Sequence, residues 1–233
     1  SAPLAAGSKR GRSSSSSSSS STTRGSKRAK KEKDGVMEMH PGQWLSEEGL
    51  ANWYASDFKT VDKERGQLMV EASASSGFPM AVAFCHLDGW NGLKQDHKIA
   101  FDMLLKIEKE TNGYHWSQYM LGSCYEYGHG VDQDAKKRFE YYSLSSKQGN
   151  SLAMCALGFC YAEGLGTDVN LTKAFELYEK SANLGYCLSM CNVGVNYEDG
   201  TGVAKDLNKA REWFTKSAAL GDTFAQTQLD ISQ

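Results

Sequence analysis

Apolar and polar positions along residues 114–221 recur in step, and each recurrence predicts the same pair of helices. In residues 151–185, a first helix from about Ser151 to Glu163 carries Leu157 and Tyr161 four residues apart on its inner face. Gly164-Leu165-Gly166 follows, a pair able to take the positive φ that ends one helix and turns the chain tightly into the next. Asn170 is placed to cap the second helix by accepting from a free backbone amide. Ala174, Phe175, Leu177 and Tyr178 then form a buried face, and Gly185 ends the unit. Phe139 and Tyr142 upstream, and Ala210, Trp213 and Phe214 downstream, fall in the same rows.

The spacing is fixed. Glycines stand at 77, 113, 149, 185 and 221, each 36 residues after the last. Gly122, Gly158 and Gly194 follow an apolar residue (Leu121, Leu157, Val193) and precede Tyr125, Tyr161 and Tyr197 by three. A glycine inside a helix costs about 1 kcal/mol against alanine, so its recurrence predicts close approach of the second helix there. Gly128-His129-Gly130 and Gly200-Thr201-Gly202 repeat the turn, and Asp134 and Asp206 repeat the cap. A period of this length predicts a stacked array, because one hairpin cannot bury its apolar face alone.

The pattern, apolar-Gly-x-x-Tyr-x-x-Gly-x-Gly, then Asp or Asn, Ala and an aromatic, then Ala-x-x-Gly, resembles the Sel1-like repeat, a relative of the tetratricopeptide repeat. That resemblance implies an all-α fold: a right-handed α-solenoid of about four to five helix-turn-helix repeats over residues 62–233. Upstream the pattern is degenerate but in phase, with Asp62 fifteen residues before Gly77 as Asp206 is before Gly221. The first unit departs from it: His86 replaces the helical glycine, Gly89-Trp90-Asn91-Gly92 replaces the turn, and the second helix is two residues longer. Residues 41–61, with Trp44, Leu45, Leu50, Trp53, Tyr54 and Phe58, are expected to hold an N-terminal capping helix. Residues 222–233 are expected to start one more first helix and stop, with Gln226, Thr227, Gln228 and Asp230 as its polar cap.

Composition adds a second segment. The chain is 40% hydrophobic with a net charge of −2, but residues 1–35 carry nine Lys or Arg against two acids. Their only large apolar side chain is Leu4, and Ser13 to Ser21 are consecutive serines, so residues 1–40 are expected to be a disordered basic Ser-rich arm. Lys27, Arg28, Lys30 and Lys31 resemble a monopartite nuclear localisation signal, read by an import receptor. The same composition fits an organellar transit peptide or a solubilising tail, so the expectation is nucleus, with cytoplasm or an organelle as alternatives. No apolar run is long enough for a membrane span or a secretory signal. The remaining body is acidic, which argues against a folded phosphate-binding surface and leaves weak or indirect nucleic-acid contact to the arm.

Catalytic chemistry is not indicated, and the chain is read as a non-enzyme with no cofactor and no metal. The histidines (His40, His86, His97, His115, His129) keep no repeated relation to acids or cysteines, and His129 is expected to be a solvated turn residue. Cys124/Cys160 and Cys155/Cys191 are each 36 apart, so they fill repeat positions as small buried or groove-lining side chains rather than zinc or redox pairs. Some bacterial Sel1-like proteins tie the two helices with a disulfide; here Ser145, Ser181 and Ala218 end the second helices, so that staple is not expected. Gly164-Leu165-Gly166 lacks the lysine of a phosphate loop, and Asn170-Leu171-Thr172, formally a sequon, is read as a cap.

The resemblance implies that a concave wall of first helices grips a protein partner. Projected here, the groove holds Trp116, Tyr119, Ser123, Glu126 and Tyr127, then Leu152, Cys155, Phe159, Ala162 and Glu163, then Leu188, Cys191, Val195, Glu198 and Asp199. Such a wall suits a peptide or domain with apolar and basic side chains. Sel1-like repeats are longer than tetratricopeptide repeats, so rotation of the faces would bury some of these side chains instead. The expected function is a scaffold or adaptor, possible as a subunit of a larger complex; the alternative is a nucleic-acid-associated recruiter that uses its arm.

Overall fold

Each polar residue that ends a Gly-x-Gly turn starts a helix. Asp134 accepts from the amides of Lys136 and Lys137 at 2.9 and 3.0 Å, Asn170 from Lys173 at 3.0 Å, and Asp206 from Asn208 and Lys209 at 3.1 Å. The computed structural model describes residues 60–231, with side chains from residue 67 onward. The helices are α1 (Thr60–Ser75), α2 (Pro79–Asp88), α3 (His97–Thr111), α4 (His115–Tyr127) and α5 (Ala135–Lys147). They continue as α6 (Ser151–Glu163), α7 (Leu171–Asn183), α8 (Cys187–Asp199), α9 (Leu207–Ala219) and α10 (Thr223–Ile231). Each packs on the helix before it and the helix after it, and among the described residues there is no strand. The even-numbered helices from α2 to α10 are the first helices of their units, called A below, and their partners B.

The helical glycines are contact points. A β-carbon on Gly158 would stand 2.8 Å from the Tyr178 ring; on Gly122 it would meet Tyr142 at 2.6 Å, and on Gly194 Phe214 at 2.7 Å. No side chain fits between A and B helices at this level. The second turn glycine makes the contact between units. A β-carbon on Gly166 would lie 2.1 Å from the carbonyl oxygen of Ala135, at the start of the preceding B helix. Gly130 is seated likewise on His97, and Gly202 on Leu171.

Further rows repeat with the period, some joining neighbouring units and some joining the two helices of one hairpin. Ala81, Ser117, Ala153, Ser189 and Ala225, spaced by the period, are all fully buried. Each repeat tyrosine meets the preceding unit edge-on: Phe101 with Tyr125, Phe139 with Tyr161, and Phe175 with Tyr197, at ring-centroid distances of 5.6, 5.3 and 5.2 Å. Lys137, Lys173 and Lys209 cover the same tyrosines at 5.0, 5.3 and 5.1 Å. At the far end of each hairpin, Ser145 and Ser181 donate to the carbonyls of His115 and Ser151 at 2.7 Å, and Ser217 donates to Cys187 at 3.1 Å.

The irregular first unit keeps the period by exchange. Helix α2 has 10 residues against 13 in α4, and α3 has 15 against 13 in α5. Asp96 caps α3 through Ile99 at 3.0 Å. Helix α1 begins at Thr60, so Asp62 lies inside it rather than at its start. The closing α10 is seated by Asp222, which accepts from Phe224 at 2.9 Å and buries Ala225 while Gln226, Thr227 and Asp230 stay exposed. The basic arm, with Lys27, Arg28, Lys30 and Lys31, and the expected capping helix up to residue 59 lie outside the described residues.

Candidate functional site

The A helices form a wall because successive ones touch directly. Asn150, at the head of α6, brings its side-chain nitrogen to 3.4 Å from His115 Nδ1 in α4, and Asn192 of α8 reaches Cys155 Sγ of α6 at 3.8 Å. This contact decides which side chains are available. Trp116, Leu152, Cys155 and Cys191 are buried, with Trp116 edge-on to Tyr119 at 6.0 Å. They support the wall from inside, the rotation that a longer repeat permits.

The other projected positions reach the surface. Tyr127 is 61% exposed, Phe159 47% and Leu188 39%, with Glu163 and Asp199 exposed beside them. Tyr119, Ser123, Glu126, Ala162, Val195 and Glu198 are half-buried. Phe224, 49% exposed, continues the row of Leu188 one period on; the period itself predicts that position, although a projection confined to the three complete units omits it.

Glu126 is tied into the hairpin beneath it. Its Oε1 faces Arg138 Nη1 at 3.7 Å, and its Oε2 accepts from the Tyr142 hydroxyl at 2.5 Å. Burial, and next the Glu126 charge, push the Tyr142 hydroxyl well above its ordinary pKa, so it remains a donor. Arg138 is 9% exposed, and its Nε and Nη2 have no protein partner among the described residues. Within the run Lys136-Lys137-Arg138 only the period separates this buried cation from its solvated neighbours, because 138 falls in the row of Ala174 and Ala210.

In the last complete unit the equivalent space is open. A cleft of about 290 Å³ lies among Glu198, Leu207, Ala210, Arg211, Phe214 and Leu229. His129 is not freely solvated: its ring stacks on His97 with centroids 4.2 Å apart, and burial, followed by the His97 charge, lowers its pKa. The turn is pressed against the preceding unit through Gly130, which carries His129 onto the start of α3.

The hairpins, glycine contacts and inter-unit rows coincide with a family model, the Sel1 repeat, over residues 80–107, 117–150, 151–186 and 187–222. The chain belongs to the Sel1 repeat family. Its repeats build a protein-interaction fold. Among solved structures, it is similar to a protective antigen of uropathogenic Escherichia coli strains that displays an SLR fold, with 28% identity and a TM-score of 0.59. That match covers 81% of this chain and 40% of the antigen, so the chain spans well under half of that relative. A Sel1 repeat protein from Oxalobacter formigenes is 31% identical, with a TM-score of 0.50, covering 55% of this chain and 94% of that one. No curated protein matches the chain in sequence.

The cysteines of these Sel1 repeats are packing residues. All six are free and buried. Burial pushes the thiols of Cys85 and Cys155 up to about 11 and those of Cys124 and Cys191 up to about 12, which suppresses the nucleophilic thiolate. Among the described residues, no group of three His, Cys, Asp or Glu side chains is placed to hold a metal ion, and no helix is long and apolar enough to cross a membrane.

Proposed function

We propose that the chain is a non-enzymatic adaptor whose A-helix wall holds a partner protein through a segment bearing apolar and basic side chains. The supporting observation is the pairing of exposed Phe159 and Leu188 with the exposed carboxylates of Glu163 and Asp199 on adjacent A helices. Buried core normally claims such large apolar groups, and a desolvated aromatic anchor contributes about 2 kcal/mol or more to a contact. Carboxylates at the rim add selectivity for cations.

The test is affinity capture from the native source with wild type and with the double variant Phe159→Ala, Leu188→Ala. The variant should lose the captured partner at least tenfold while its thermal midpoint stays within a few degrees, since both side chains are exposed. Equal capture would overturn the reading. We further propose that Lys27, Arg28, Lys30 and Lys31 direct the chain to the nucleus; a full-length fusion with all four changed to alanine should be excluded from it, and unchanged nuclear signal would refute this.

A further inference from the structure

We infer that Arg138 masks Glu126, so that the A-helix wall recognises cationic side chains only through the carboxylates beyond it, Glu163, Glu198 and Asp199. This rests on the binding reading above and states where along the wall a basic residue is read. The period provides the internal comparison. Four residues after its cap, each other B helix from α3 onward carries a buried alanine, Ala100, Ala174 or Ala210, whereas α5 carries Arg138. A guanidinium at that depth requires a counter-charge, because burial strips its hydration. Glu126 supplies it through one oxygen, and Tyr142 takes up the other.

In the last complete unit, Ala210 and Phe214 stand where Arg138 and Tyr142 do, without charge or hydroxyl. There Glu198 borders the open cleft, where Arg211 is the other charged side chain but forms no ion pair with Glu198. Among the described residues no hydrogen bond or ion pair engages Glu163, Glu198 or Asp199. The intervening unit has Ala162 at the Glu126 position. A carboxylate already paired with a cation offers an incoming ammonium no net attraction, whereas a free one does.

The experiment is fluorescence anisotropy at low salt with a fluorescein-labelled peptide of alternating leucine and lysine, and its leucine–glutamate counterpart as control. Arg138→Ala, which installs the residue of the other repeats, frees Glu126 and should tighten leucine–lysine binding about three- to tenfold. Unfolding would expose apolar surface and raise binding of the leucine–glutamate control as well, which a freed Glu126 would not. Adding Glu126→Gln should abolish that gain. Glu126→Gln alone should bind within about twofold of wild type, while Glu163→Gln with Glu198→Gln should weaken binding about tenfold. If Arg138→Ala binds no tighter, or Glu126→Gln costs as much as the double change, the masking is wrong and the binding reading survives. If wild type ignores the leucine–lysine peptide, both fall together.

Discussion

The ring of Tyr178 occupies the space that a β-carbon on Gly158 would need, 2.8 Å away. Gly158→Ala therefore sets two effects against each other. Helix propensity gains about 1 kcal/mol. Overpacking a closed interface costs about 1–3 kcal/mol, because Tyr178 is itself buried and cannot swing aside. Packing should win, with a net loss of up to about 2 kcal/mol in urea unfolding. A variant more stable than wild type would show that the two helices can part at this point.

Ser181 donates to the carbonyl of Ser151 at 2.7 Å and accepts from Ser189 at 2.7 Å, with both serines fully buried. Ser181→Ala leaves both neighbours without this partner and should cost about 1–3 kcal/mol. Ser189→Ala should cost clearly less in that background than alone, since its acceptor has gone. A double-mutant cycle from denaturant midpoints measures the difference, and strict additivity would mean that the serines act independently.

Burial holds the His115 pKa down to about 4 against an ordinary 6.5. The Asn150 side-chain oxygen accepts from the amide of Ala153, which leaves its nitrogen to face His115 Nδ1 at 3.4 Å, a contact that suits neutral imidazole. Above pH 6.5 the histidine is neutral in both folded and unfolded chains and no stability is lost. As pH falls from 6.5 towards 4, the unfolded chain takes up the proton first and stability declines, by about 3 kcal/mol in all. His115→Gln should flatten this part of the stability–pH curve, measured by urea unfolding at fixed ionic strength. An unchanged slope would assign the acid sensitivity to other groups.

The period made most of the fold legible. Gly122, Gly158 and Gly194 announce close helix contact because their cost in propensity recurs, and Asp134, Asn170 and Asp206 announce caps by their place after the turn. Which side of an A helix faces outward is harder to read. Helix α6 runs Leu152-Ala153-Met154-Cys155-Ala156-Leu157, apolar on nearly every side, so the pattern cannot separate Cys155, buried between A helices, from exposed Phe159. Equivalence between units follows from spacing; orientation requires the neighbouring helix. The depth of Arg138 follows from spacing too, since it falls in the row of Ala174 and Ala210, but its pairing with Glu126 depends on how α5 lies against α4.

Gly166 pressed on Ala135, like Gly202 on Leu171, means that each turn is seated on the previous hairpin. Removing residues 151–186 as a block would bring Gly202 onto Ala135 and recreate an equivalent joint. A molecule assembled this way grows or shrinks only by whole modules, and every intermediate length inherits a complete set of joints.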